Sequence, residues 1–127
     1  MMKDILLIEN DQLSADSYLG LLDDLKDHVN VAVGGSSAYK ALTKLTSYKL
    51  IVIDPLLDDS VLEVIHARLM VAKYNFNIGI LVVTSISESE YVKSHDFNLF
   101  DHFIVKPVID SELTDAIKQE YSKALYH

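Results

Sequence analysis

Three short runs of this sequence are apolar without a break, and each stops on a polar residue. Ile5-Leu6-Leu7-Ile8 stops on Glu9, Leu50-Ile51-Val52-Ile53 on Asp54, and Ile78 to Val83 on Thr84. Runs of this length are too short for a buried helix and suit a strand covered on both faces. A fourth run, Phe103-Ile104-Val105, stops on Lys106 and is followed by Pro107. Val29, Val31 and Val33 alternate with Asn30 and Ala32, as in a half-exposed edge strand.

Strands buried on both faces need cover on both faces, and between the runs the period changes to that of a helix. Tyr18, Leu21, Leu22 and Leu25 fall at i, i+3, i+4 and i+7. Gly34-Gly35-Ser36 predicts a turn into a second helix bearing Ala38, Ala41, Leu42 and Leu45. Ser60-Val61-Leu62-Glu63 is a capping box, opening a helix with Leu62, Ile65, Leu69 and Ala72 on one face. Ser87-Glu88-Ser89-Glu90 is another, opening a shorter, more polar helix. Asp110 can cap a last helix whose apolar face is Leu113, Ala116, Ile117, Tyr121 and Ala124. Five strands alternating with five helices predict a parallel sheet between two helical layers. Right-handed crossovers then restrict the topology to doubly wound forms. With the alternating strand at one edge, the expected class is an α/β three-layer sandwich of strand order 2-1-3-4-5.

The 127 residues suffice for one domain, expected to span 1–127. Apolar residues make up 50% of the chain, too many for a disordered segment. Nineteen acids against eleven bases leave a net charge of −8, which repels a nucleic-acid backbone. Without cysteine there is no disulfide, thiolate zinc site or thiol nucleophile. The N-terminal apolar stretch is shorter than a signal peptide's core, and no run approaches the ~20 residues of a membrane span. A cytoplasmic protein is expected. The five histidines lack metal-ligand spacing, and Gly34-Gly35-Ser36-Ser37 lacks the lysine of a phosphate loop.

In such a sheet the ligand site lies beyond the carboxyl ends of the strands, where the strand order reverses. The residues waiting there are Glu9, Asn10 and Asp11 after strand one, Asp54 after strand three, Thr84 after strand four and Lys106 after strand five. Converging carboxylates suit Mg²⁺, which takes one or two of them and leaves positions for water and phosphate oxygens. A hydroxyl and an ammonium nearby suit a phosphoryl group, whose charge is spread over three oxygens. The nearer reading of Asp11 is the N-cap of helix one.

The segments LLIEND, YKLIVID, LVVTS and FIVKP, in that order and each at a strand end, resemble the receiver domain of two-component response regulators over essentially the whole chain. That resemblance implies a flavodoxin-like fold and a phosphoacceptor at Asp54. It implies Mg²⁺ held by Glu9, Asn10, Asp54 and the backbone carbonyl of Leu56. It gives Thr84 the phosphate-sensing hydroxyl, Lys106 the phosphate-pairing amine and Phe103 the aromatic rotamer switch, and it makes the peptide before Pro107 cis. The implied partners are a histidine kinase or phosphotransfer protein as donor, and a downstream protein or second copy on the face of helix four, strand five and helix five. No direct contact with nucleic acid or membrane is implied. At most the chain would phosphorylate and dephosphorylate itself, without being an enzyme otherwise.

Several residues depart from that pattern. Asn10 stands where a second aspartate is usual, Pro55 directly follows the acceptor, Asp58 replaces a loop proline, and Leu99-Phe100 replaces a small-residue turn. Asn10, Pro55 and Leu99-Phe100 motivate an alternative, a pseudo-receiver that binds partners without phosphorylation. A flavodoxin-like cofactor binder would share the strand order, but the hydroxyl-rich phosphate loop expected after strand one is missing.

Overall fold

The computed structural model describes residues 3–57, 59–95 and 97–126. Asp58 and His127 lie outside them, as do the side chains of Ser60 and His95. The capping role expected of Ser60 therefore falls outside the described part. Five strands form: β1 (Ile5–Glu9), β2 (Val29–Val33), β3 (Leu50–Ile53), β4 (Gly79–Thr84) and β5 (His102–Val105). Five helices alternate with them: α1 (Gln12–Leu21), α2 (Gly35–Leu42), α3 (Asp59–Phe76), α4 (Glu88–His95) and α5 (Asp110–Leu125). All pairings are parallel and the strand order is β2-β1-β3-β4-β5, as the sequence predicts.

The apolar runs work as two-sided strands. Leu6, Ile8, Ile51, Ile53, Ile80 and Val82 face a core built with α2, α3 and α4, including Ala38, Leu42, Ile65, Leu69 and Tyr91. Their neighbours Ile5, Leu7, Leu50, Val52, Leu81 and Val83 face a second core with α1 and α5, including Ala15, Tyr18, Leu113 and Ile117. Fully burying a side chain of this size stabilises by ~1.5–3 kcal/mol, so both layers are held to the sheet. β2 divides likewise: Val29, Val31 and Val33 pack toward the second core and Ala32 toward the first. It is thus half-buried on both faces, whereas the alternation suggests one.

Helix ends differ from expectation in three places. α1 stops at Leu21, and the chain turns through a 3₁₀ segment, Lys26–His28, so Leu25 packs from outside the helix. α2 stops at Leu42, and Leu45 opens a second 3₁₀ turn, Leu45–Ser47. α5 begins at Asp110 itself, with Ile109 at the cap position and no side-chain cap bond. Asp110 instead adds negative charge to the first turn, where the helix dipole favours it. Two caps form as read. Asp11 accepts from the Leu13 N–H and the Ser14 hydroxyl, and Ser87 accepts from the Glu90 N–H. Gly34 caps α2 with φ 88, and a Cβ on Gly35 would lie 2.3 Å from Val61 Cγ2, so both glycines are needed.

Candidate functional site

The register of the sheet sets the site. Ile8 pairs with Ile53, Ile53 with Val82, and Thr84 with Val105. Glu9, Asp54, Thr84 and Lys106 therefore emerge at the same end of four adjacent strands. Glu9, Asp54 and Thr84 are buried, each below a tenth exposed. The Asp54 N–H donates to the Ile8 carbonyl and the Lys106 N–H to that of Thr84, carrying the ladder one residue past the strand ends.

Lys106 joins the acids. Its Nζ donates to Asp54 Oδ2 at 2.7 Å and to Glu9 Oε2 at 3.1 Å. The remaining oxygens accept from backbone: Glu9 Oε1 from the Asn10 N–H and Asp54 Oδ1 from the Leu56 N–H. Pro55 has no N–H to give the acceptor loop. The chain turns tightly there, with the Leu57 N–H on the Pro55 carbonyl, and the Leu56 amide serves Asp54 instead. The peptide between Lys106 and Pro107 is cis.

Two buried carboxylates sharing one ammonium are short of positive charge. Burial and the charge of Asp54 push the Glu9 carboxyl above the usual carboxylate range, and Lys106 offsets this only in part. Burial pulls the Lys106 amine down, but the hydrogen bond and charge of Asp54, joined by Glu9, hold it above the ordinary lysine value. Beside them the Thr84 Oγ1 is buried with no hydrogen-bond partner. A buried hydroxyl left unpaired costs ~1–3 kcal/mol and calls for an explanation.

Each carboxylate oxygen keeps a lone pair beyond the bond it accepts. The pair thus fits a small hard cation, with Glu9 and Asp54 as charged ligands and Asn10 and the Leu56 carbonyl as neutral oxygens. Asn10 is exposed and adds no charge. Among the described residues no group of three His, Asp or Glu side chains forms a metal cluster, so such a cation would lean on neutral oxygens, water or a phosphate.

Sequence reasoning placed Glu9, Asp54, Thr84 and Lys106 correctly at one strand-end cluster and missed two tyrosines beside it. Tyr18 of α1, read only as core, has its ring centroid 5.7 Å from Lys106 Nζ. Tyr91 of α4 is fully buried, bonds His66 Nε2 through its hydroxyl at 2.5 Å, and is raised by burial and then by the charge of Asp54. Tyr18 sits at helical core spacing, which marks burial but not which end of the helix meets the site; Tyr91 lies in the helix expected to be short and polar, with no apolar spacing to mark it. Phe103 is half-buried on β5, its ring 6.0 Å from Tyr91 and 5.2 Å from Phe100. Leu99 and Phe100 pack against the first core as partly buried residues. Val105 and Ile109 are exposed. No described helix is long and apolar enough to cross a membrane.

No protein-family model matches the sequence, and no curated protein matches it. Solved structures do. A signal receiver domain from Vibrio parahaemolyticus superposes with a TM-score of 0.79 at 16% identity, covering 99% of this chain and 95% of that one. The receiver domain of an HD domain-containing protein from Pseudomonas fluorescens reaches 0.76 at 18% identity, with all of both chains covered. A CheY-like receiver domain protein from Methanospirillum hungatei reaches 0.71 at 21%, covering 99% and 98%. By strand order, helix placement and these superpositions, the chain has the fold of the response-regulator receiver domains.

Proposed function

We propose that this chain is a phosphoaccepting receiver domain, modified on Asp54. The observation that carries the reading is the Thr84 hydroxyl, buried and unpartnered one strand away from an acid pair already bridged by lysine. A purely structural ion pair has no use for that hydroxyl. A phosphoryl group on Asp54 would supply the acceptor it lacks.

In the proposed reaction a carboxylate oxygen of Asp54 attacks the phosphorus of a phosphohistidine on a donor kinase or phosphotransfer protein. The O–P bond forms as the N–P bond breaks, and the departing imidazole nitrogen keeps the electron pair and takes a proton. Lys106, held between Glu9 and Asp54, offsets charge on the transferring oxygens. Glu9, Asp54, the Leu56 carbonyl and Asn10 would hold Mg²⁺, which when bound neutralises further phosphoryl charge. Thr84 then donates to a phosphoryl oxygen. The space it leaves lets Phe103 turn inward, changing the surface of α4, β5 and α5 where Val105 is exposed. That face would meet a downstream protein or a second copy. The chain would turn over no substrate beyond its own aspartyl phosphate.

Incubation with Mg²⁺ and a small phosphodonor, followed by intact mass, tests this. The expected result is a gain of one phosphoryl group in the wild type and none in Asp54→Ala. An adduct that survives Asp54→Ala, or no adduct at all, would refute it. One feature favours the phosphorylation-independent alternative: the exposed amide of Asn10 brings no charge to the cation. On that reading Asp54→Ala keeps both partner binding and signalling.

A further inference from the structure

The acids of this chain are unevenly spread. None of the 19 lies between Val29 and Ile53, a stretch that holds Lys40, Lys44 and Lys49. In a chain of net charge −8 that stretch is a cationic island. It folds into β2, α2, the second 3₁₀ turn and β3, and an open groove of about 260 Å³ lies within it. One wall is α2, through Ser37, Lys40 and Ala41 on one helix face, and it is continued by Lys44 in the turn just past the helix end. The other is β2, through Asn30, Val31 and Ala32. Tyr48 completes the lining. Its hydroxyl accepts from Asn30 Nδ2 at 2.7 Å and keeps its own proton to donate. β2 is the sheet edge, paired with β1 alone. Such an edge offers backbone donors and acceptors to any extended chain beside it.

We propose that the groove between β2 and α2 binds an acidic, extended peptide segment of a partner protein, added along β2 with alternate carboxylates on Lys40 and Lys44. The charges agree: both lysines line the groove, exposed, in a stretch without a single acid. Ala41, partly exposed on the α2 wall, gives the intervening apolar side chain a surface to rest on. A small anion alone would make no use of the strand edge. The site lies at β2, across β1 from the acceptor strand, and does not depend on phosphorylation of Asp54.

The probe is a labelled peptide alternating Val and Glu, with a Val/Lys peptide as control, titrated by fluorescence anisotropy and by amide chemical shifts. Saturable binding of the acidic peptide alone is expected, with shifts centred on Asn30, Val31 and Ala32. Reversing both lysines, Lys40→Glu with Lys44→Glu, should weaken it about tenfold or more, as should salt near 0.5 M. Both lysines are exposed, and circular dichroism checks that the double variant is folded. No binding, binding unchanged in the double variant, or equal binding of the lysine peptide overturns the proposal. So does inorganic phosphate that displaces the peptide and reproduces its shifts at the lysines without any at β2, which makes the groove an anion site.

Discussion

Replacing Lys106 by Met keeps most of the side chain's stem and removes the ammonium from between two carboxylates. Those carboxylates are 3% and 8% exposed and accept at 3.1 and 2.7 Å. Taking one partner from a buried ion pair costs ~3–5 kcal/mol, because the other charge is left buried and unmatched. The lysine side chain is 22% exposed, so water partly fills its place and the lower end of that range, ~3 kcal/mol, applies. For a domain of this size that lowers Tm by roughly 10 °C. The loss should depend on pH. Burial and Asp54 already hold the Glu9 carboxyl above its ordinary value, with Lys106 opposing them. Without Lys106 it rises further. A carboxyl raised in the folded state favours folding while protonated, and that contribution disappears as pH climbs through its folded pKa. The deficit should therefore be full near pH 7 to 8 and shrink toward pH 5, in the direction of the unfolded value of about 4.3. Urea denaturation of both proteins across that range, without divalent cations, measures it. A deficit below ~1 kcal/mol, or one constant with pH, would mean that solvent rather than Lys106 neutralises the pair, and the charge-poor description of the site would fail.

At the other end of the sheet the Tyr121 hydroxyl donates to both oxygens of Asp4, at 2.9 and 2.8 Å. Tyr121→Phe should cost ~1.5–3 kcal/mol, the range for bonds to a charged acceptor. Burial and the bond to Asp4 push this hydroxyl up to about 12. The wild type's advantage should hold steady to about pH 10 and fade as pH rises through 12, in paired urea melts. A gap already closing below pH 9 would separate the bond from the stability. Gly35→Ala places a methyl 2.3 Å from Val61 Cγ2 and should destabilise by ~1–3 kcal/mol. Adding Val61→Ala should recover part of that loss, and no recovery would locate the strain in the backbone instead.

The architecture was legible because both faces of the sheet are covered. That cover forces the strands into unbroken apolar runs, and the break of each run marks where the chain leaves the sheet. Glu9, Asp54, Thr84 and Lys106 were legible for the same reason, since a polar residue at such a break must lie at the strand end. Helix ends were less so. Leu25, just before a 3₁₀ turn, and Leu45, opening one, keep the apolar period because packing against the core rewards their position whether or not the helix continues. Asp110 has a capping side chain, but the hydrogen bond is not made. Tyr91 lies in α4, which the sequence marks as a short, polar helix, so nothing there pointed to its burial. Its contact with His66 joins residues 25 apart, a distance at which periodicity carries no information.

The charge of the site sets stability against modification. With Glu9 and Asp54 ionised and Lys106 protonated, the cluster carries one net negative charge, and its burial already strains Glu9. Phosphorylation of Asp54 would exchange one carboxylate charge for about two on the phosphoryl group. Lys106 alone then faces roughly three negative charges, so the proposed adduct needs a further cation to persist. In that proposal Asn10 would act on both sides of the balance. An acid there would hold the cation more tightly, but would add a charge that the incoming phosphoryl group must approach. The amide removes that repulsion and weakens the hold on the cation, so phosphorylation here should depend on Mg²⁺ concentration over a higher range than in a site with three acids. On the proposed function, the unpartnered Thr84 hydroxyl and the two carboxylates on one lysine would receive the phosphoryl group. The same features cost the resting fold stability.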